Sequence, residues 1–377
     1  MDSYKGSCSA QRAGTAIARG IQKVMPDAQV VNFPVADGGE GTVDAMIAGG
    51  RGEMYECRVL DPLCRERIAK YGVMGNGVAV LEMSAASGLT CLDPKELDPV
   101  RATTYGTGQM ILDALKKGYR KIILGLGGSA TNDGGAGMAQ ALGVSLRDAQ
   151  GRELAFGGAA LAQLHTIDAR GIHPLVRECE IICAADVKNV LCGENGATHV
   201  YGPQKGVTQT MEPILEDALR HYGTLLSAHC GQNVFALEGG GAAGGLGAGL
   251  YAFCGARFCS GIDTVLDLLA FDAALEDADI VITGEGHMDG QTINGKVPVG
   301  VARRAKKCGG IPVIALVGGA DDMAQAVYVH GIDGIFAIAD KPMDMRESYE
   351  RVEILLEKTA EALARTIDAV IKSETQA

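Results

Sequence analysis

The sequence has no tryptophan, no Cys-x-x-Cys pair and no basic surplus, and none of its apolar stretches approaches the ~20 residues that span a bilayer. Each absence removes a class of function. Among 11 cysteines the near neighbours are Cys179 with Cys183 and Cys254 with Cys259, at spacings that fit no zinc motif. Free thiols in a reducing compartment are the expectation. Lys and Arg number 34 against 46 Asp and Glu, a formal charge of −12. Such a surface repels nucleic acid and anionic membrane, so neither is an expected partner. The first residues, Met1 to Ala10, contain no apolar signal core. The cytoplasm is therefore the default location.

What is present points to a globular enzyme. A chain of 377 residues exceeds one ordinary domain, and 47% hydrophobic content can bury two cores. The 53 glycines follow no collagen period. They cluster after apolar runs, where backbone loops can be shaped around a ligand.

Strands alternate with helices at both ends of the chain. The spacing predicts a helix from about Ser9 to Val24, capped by Ser7 or Ser9, and a strand over Gln29–Phe33. Near the C-terminus, Ile280–Ile282 reads as a strand ending in a Thr283–Gly286 loop. A helix over Lys296–Lys307, a strand over Pro312–Val317, a helix over Asp322–His330, a strand over Gly334–Ile338 and a long helix over Met345–Lys372 follow. This pattern predicts about four parallel strands with helices on both faces. The middle reads as an antiparallel meander, Met54–Leu60, Ala69–Val73 and Val78–Met83. Helix Thr104–Lys117, strand Lys121–Leu126, helix Asn132–Leu142, strand Ile181–Ala185 and helix Met211–Ala228 come after it. The expected class is α/β with two domains: a discontinuous one over 1–54 plus 266–377, and an inserted mixed α/β one over 55–265.

Five glycine-bearing segments can carry chemistry. Asp2–Ser7 precedes a helix, whose free N–H groups suit an anion, with Lys5 and Ser7 adding charge and hydroxyl. The plain alternative is an ordinary capped helix start. Asp37-Gly38-Gly39-Glu40-Gly41 can hold Mg2+ or orient a hydroxyl, or be an acidic turn. Gly125 to Gly135 follows an apolar strand and opens a helix, and Gly125-x-Gly127-x-x-Ala130 loosely fits a dinucleotide fingerprint. The acidic residue that should follow has no strand end to sit on, and Ser129 and Thr131 favour phosphate or carboxylate. Lys205, within Pro203-Gln204-Lys205-Gly206, is a phosphate partner or a surface lysine, and Asp186 lies in the same middle domain. Gly290 to Lys296 has the GxxxxGK spacing, but Val297 stands where a P-loop needs Ser or Thr. Lys296 remains a phosphate candidate, with Glu285 and Asp289 nearby.

Together the segments resemble the glycerate kinase family of the bacterial glycerate 2-kinase type. The matching stretches are DSYKGSCSA at 2–10, PVADGGEGT at 34–42, SAASGL at 84–89, TTYGTG at 103–108, GLGGSATNDGGAG at 125–137, AADVKNVLCGENGA at 184–197, GPQKG at 202–206, GGGAAGGLGAG at 239–249 and TGEGHMDGQTINGK at 283–296. The resemblance implies a flavodoxin-like discontinuous domain and an inserted restriction-enzyme-like domain. It implies transfer of the ATP γ-phosphoryl group to D-glycerate with Mg2+, giving 2-phosphoglycerate. It also implies a short apolar strand before the Asp2–Ser7 loop. Met1 directly precedes Asp2, so either the start codon lies upstream or the product is truncated. His287 stands where relatives are expected to carry arginine.

The resulting assignments follow from phosphoryl-transfer chemistry, which needs positioning and charge neutralisation. Lys5, Lys205 and Lys296 are expected to face phosphate or the glycerate carboxylate. Gly127, Gly128, Ser129 and Thr131, with Asn132, form the expected anion cradle. Ser7, Gly38, Gly39, Ser84, Ser87 and Gln204 complete the expected binding set. Asp37, Asp186 and Asp289 are the candidates for accepting the substrate proton or for Mg2+, with Glu40 a further Mg2+ candidate; Glu40 and Glu285 are the reserves for these roles, and Glu285 also belongs to the expected binding set. Small molecules, glycerate and ATP, are the expected partners, and a homodimer stays open. An NAD-dependent hydroxy-acid dehydrogenase and a catalytically dead sugar-acid-binding protein are the alternatives.

Overall fold

The apolar runs of the middle segment become the strands of one mixed sheet. A computed structural model describes residues 1–36, 38, 41–48, 52–290 and 292–375. Two compact units divide the chain: Gly38–Val43 with Arg51–Gly261, and Met1–Asp37 with Asp44–Gly50 and Ile262–Ala377.

In the first of these units, β1 (Gly52–Leu60), β2 (Glu66–Met74) and β3 (Val78–Glu82) form the antiparallel meander. β4 (Lys121–Gly125) then pairs parallel with β3. The short β5 (Ser145–Arg147) and β6 (Thr166–Asp168) form a separate ribbon. β7 (Glu180–Ala184) and β8 (Arg257–Cys259) extend the main sheet in parallel, giving the order β1-β2-β3-β4-β7-β8. β3, β4 and β7 are apolar along most of their length because helices cover the sheet, as in Val78–Leu81 and Ile122–Leu124, all buried. Helices Tyr105–Lys116 and Glu212–Cys230 contribute Met110, Ile111, Leu115, Leu219, Tyr222 and Leu226 to this core.

The other unit holds a parallel sheet of β9 (Val281–Met288), β10 (Val313–Ala320) and β11 (Gly334–Ala337), in the order β11-β10-β9. Helix Ala10–Gln22 starts at Ser9, whose hydroxyl accepts the Arg12 N–H. It packs on helix Met345–Thr375, burying Ala13, Ala16 and Ile17 with Leu355, Leu356 and Ala360. Arg19 and Lys23 on its far edge both reach Glu357, at 2.8 and 2.5 Å. No helix among the described residues is long and apolar enough to cross a membrane.

Three sequence-based expectations need correction. Gln29–Phe33 is not a strand. Its neighbourhood makes only isolated bonds, from the Met1 amino group to the Phe33 carbonyl and from the Val35 N–H to the Met1 carbonyl, so no ladder forms. The sheet accordingly has three strands among the described residues, not four. Thr283–Gly286 is not a loop after a strand but the middle of β9, with Glu285 in register with Val317. The helix expected over Asn132–Leu142 is shorter, Ala136–Ala141, because Gly134 and Gly135 both take positive φ and keep the chain in a turn.

Gly20 marks how close the two packed helices come. A Cβ on Gly20 would sit 2.2 Å from the Glu357 carbonyl oxygen. We expect Gly20→Ala to force the helices apart and to cost about 1–3 kcal/mol of stability. Urea unfolding measures it; an unchanged midpoint would contradict this packing.

Candidate active site

In the unit that contains β9, the charged side chains of Glu285, Asp289 and Lys296 gather at the C-terminal half of the strand, with the Lys5 backbone close by. Tyr4 is buried and its hydroxyl donates to the Leu316 carbonyl at 2.7 Å, anchoring the Asp2–Ser7 loop to β10. That loop runs against Gly286: a Cβ there would lie 3.5 Å from Tyr4 Cα and 3.6 Å from Lys5 N. Lys5 is exposed, and no ion pair to it is found among the described residues. The Ser7 hydroxyl donates to the Tyr4 carbonyl at 2.9 Å, so in this state it closes the turn.

Glu285, the residue before Gly286, is 5% exposed. Its carboxylate accepts a 2.7 Å hydrogen bond from the Thr292 hydroxyl. Lys296, at the N-cap of helix Val297–Lys307, places its ammonium 3.0 Å from Asp289 and 3.9 Å from Glu285. Burial pushes the Glu285 carboxyl up to about 7, against the downward pull of Thr292 and Lys296, with Asp2 and Asp289 adding to the rise. A carboxylate so placed exchanges a proton near neutral pH. The cluster thus combines one proton-exchanging acid with one lysine ammonium, that of Lys296.

In the other unit the groups collect at the C-terminal ends of β4 and β7, where parallel sheets bind ligands. Gly38 takes φ +87° and wedges between these ends. Its carbonyl oxygen lies 2.3 Å from where a Gly125 Cβ would be, and its own Cβ would meet the Ala184 oxygen at 3.0 Å. Asp186, just past β7, accepts the Gly261 N–H at 3.0 Å. The loop after β4 is tied to its neighbours by main-chain bonds, Leu89 N–H to the Gly128 carbonyl and Ala130 N–H to the Ser87 carbonyl, at 2.8 and 3.0 Å. The Ser87 hydroxyl accepts from Thr107 at 2.9 Å, and Ser84 is buried beneath Gly128. Gly127 and Gly128 are exposed, leaving this stretch of backbone accessible. Thr131 and Asn132 are fully buried, yet Thr131 Oγ1 and Asn132 Oδ1 have no partner among the described residues. Such groups call for a water or a ligand atom.

Lys205 is fully buried, which the surface-lysine alternative did not anticipate. Its ammonium donates to the Thr131 carbonyl at 2.7 Å. Burial pulls its pKa down to about 7, and the Asp133 charge partly restores it. Gln204, its neighbour, is exposed.

With both clusters described, the relatives can be set beside them. The model of the Glycerate kinase family matches residues 1–368. The glycerate 2-kinase of Escherichia coli strain K12 is 47% identical over 338 residues, 89% of this chain and 88% of its own length. The chain belongs to the glycerate kinase family. The glycerate kinase of Halalkalibacterium halodurans is 44% identical over 364 residues, 96% of both chains. The crystal structure of a candidate glycerate kinase 2 from Salmonella typhimurium LT2 superposes with TM-score 0.88 at 45% identity, covering 98% of this chain and 97% of that one. The protein is therefore a kinase of this family, and the dehydrogenase and inert-binder readings are not favoured.

Within this family member, one cluster brings together Glu285, Asp289 and Lys296 with the Lys5 backbone nearby, and the other Gly38, Ser84, Ser87, Gly127, Gly128, Ser129, Thr131, Asn132, Asp186 and Lys205. Asp37, Gly39 and Glu40 lie outside the described residues. Two residues with evident electrostatic roles were not singled out from the sequence, Thr292 and Asp133. Both sit inside the quoted motifs, but nothing in a motif tells which hydroxyl or carboxylate turns inward.

The Glu285 cluster has a signed pH consequence. Its folded pKa stands above the ordinary 4.5, so the stability its protonated form contributes is complete below about 4.5 and lost as pH rises through about 7. Lys296→Met removes the cation that opposes this shift. Carboxyl NMR of the labelled protein should then find the Glu285 titration moved to higher pH, and the stability loss moved with it. An unmoved titration would mean that Lys296 does not act on Glu285.

Proposed function

We propose that the protein transfers the γ-phosphoryl group of ATP to D-glycerate, yielding 2-phosphoglycerate and ADP, with Mg2+ as the metal. The observation that carries this reading is Glu285: a buried carboxyl raised to about 7 beside Lys296, in a chain of the glycerate kinase family. A base with a pKa near the working pH is well matched to taking a proton from an alcohol. Of the other candidate bases, Asp289 is already held by Lys296 and Asp186 by the Gly261 N–H. Glu285 therefore moves from reserve to first choice. The name of the Escherichia coli relative, glycerate 2-kinase, supports the position of the phosphate.

In the proposed reaction Glu285 accepts the proton of the glycerate 2-hydroxyl as its oxygen bonds to the γ-phosphorus. The bond from that phosphorus to the β,γ-bridging oxygen breaks, and ADP leaves with the bond's electrons. Lys5 and Lys296 supply positive charge for the phosphates or the glycerate carboxylate. The exposed backbone at Gly127 and Gly128, with Ser129, cradles an anion. Asp186, an oxygen ligand of the kind Mg2+ prefers, would be a carboxylate to hold the ion. When bound, the metal neutralises phosphate charge; Asp37 and Glu40 are the further candidate ligands. We take the two compact units to be the flavodoxin-like and inserted domains of the resemblance, and the cytoplasm to be the working compartment.

An assay of ADP release with ATP, Mg2+ and D-glycerate tests the reading, and 31P NMR identifies the product. Accumulation of 3-phosphoglycerate instead would overturn the assigned position. Glu285→Gln should lower kcat by roughly 10²–10⁴-fold with little change in KM, the range of a lost general base. The wild-type kcat/KM should rise with pH through about 7 as Glu285 loses its proton, and that limb should vanish in the variant. A variant that keeps wild-type kcat would exclude Glu285 as the base.

A further inference from the structure

The loop after β4 is held from its buried side by two charges that the reaction as proposed leaves unused. Asp133 is completely buried. Its carboxylate accepts from Thr103 Oγ1 at 3.2 Å, Thr104 N–H at 2.8 Å, Thr104 Oγ1 at 3.0 Å, Gly135 N–H at 3.1 Å and Gly137 N–H at 3.2 Å. These donors come from the starts of helices Tyr105–Lys116 and Ala136–Ala141, so one side chain ties both helix entries together. The Thr104 hydroxyl in turn accepts the Met138 N–H at 2.9 Å. Two residues earlier, the Thr131 carbonyl takes the Lys205 ammonium. No direct ion pair joins Lys205 to Asp133 among the described residues, yet the Asp133 charge acts on Lys205. The chain from Thr131 to Asp133 therefore passes between a buried cation and a buried anion. Its other limb is held by main-chain bonds to Ser87 and Leu89.

Lys205 cannot meet a phosphate from this position, because its whole side chain is inside the fold. A lone buried ammonium is costly, and a lone buried carboxylate equally so. The Asp133 charge favours the charged Lys205, and the two side chains bond the same loop at Thr131 and at Gly135. We propose that Lys205 and Asp133 are a coupled pair of positioning residues that fixes residues 127–135 in the shape that cradles the anion, and that neither touches substrate. This deepens the kinase reading and rests on it for the identity of the bound anion.

A double-mutant cycle of Lys205→Met, Asp133→Asn and the combined variant tests it, with Lys205→Arg as a charge-conserving control. Wild-type turnover of ATP and D-glycerate first establishes the kinase reading independently. In folded protein at saturating substrates, each single neutral variant should lose at least about a hundredfold in kcat. The double variant should lose far less than the product of the two, because removing both charges leaves neither uncompensated. Lys205→Arg should recover at least about tenfold over Lys205→Met. Hydrogen exchange supplies a readout that needs no activity and applies even if the wild type does not turn over glycerate. Amides of 127–137 should exchange at least about tenfold faster in Lys205→Met, while those of β4 stay protected. Should Lys205→Met fail to fold, the neutral double variant and Lys205→Arg still report coupling through their unfolding midpoints and loop exchange. Multiplicative losses in kcat, or a Lys205→Met protein with wild-type kcat, unchanged loop exchange and only a raised KM, would overturn the proposal. The last outcome would make Lys205 a direct substrate contact.

Discussion

Desolvation of a few charges is the constraint on which this structure turns. The chain carries a large negative surplus, and most of its charged side chains stay in water, where pairing contributes little. Glu285, Asp133 and Lys205 are among the exceptions, with Asp2, Asp61 and Asp148: all are buried, and burial moves the pKa of the first three. Removing a carboxylate from water raises its proton affinity, and removing an ammonium lowers it. The surroundings then decide what each becomes. Glu285 has one hydroxyl donor and a lysine near 4 Å, too little to hold it fully ionised at neutral pH. Asp133 has main-chain and hydroxyl donors on both oxygens, which pull back against its burial. The same residue chemistry is thus left poised to exchange a proton at one place and firmly hydrogen-bonded at another.

Glycine is what allows these charges to be buried so close to backbone. At Gly125 and Gly284, a side chain would collide with a carbonyl oxygen at 2.3 and 1.9 Å respectively. Strand ends can therefore lie against a second stretch of chain, and main-chain N–H groups can be aimed where side chains would otherwise stand. Exposed backbone at Gly127 and Gly128 leaves donors accessible without adding bulk.

Much of the fold was legible because its apolar runs are long and cleanly bounded. The strands expected over Lys121–Leu126, Ile181–Ala185 and Pro312–Val317 form over Lys121–Gly125, Glu180–Ala184 and Val313–Ala320, the long C-terminal helix forms as its spacing suggests, and Ser9 caps its helix. Glycine misled the reading at Thr283–Gly286. There it signalled not a loop but a strand packed so tightly that no Cβ fits, with Gly284 facing the Leu316 carbonyl. Gln29–Phe33 has strand-like composition but finds only isolated partners near it. For the site, the motifs delivered the neighbourhood and not the roles. Lys205 was read as a charge for phosphate or as a surface residue, because burial is a property of the assembled helices and not of the Gln-Lys-Gly sequence. Asp133 and Thr292 were passed over for the same reason.

The account's central claim is that Glu285 is the carboxylate that meets the substrate hydroxyl. A crystal structure of the protein with ADP, Mg2+ and D-glycerate tests it most directly. The account predicts the accepting hydroxyl within roughly 2.6–3.2 Å of a Glu285 carboxylate oxygen, the reach of a general base. A hydroxyl held instead by Asp186, Asp289 or Asp37, with Glu285 out of hydrogen-bonding range, would contradict it.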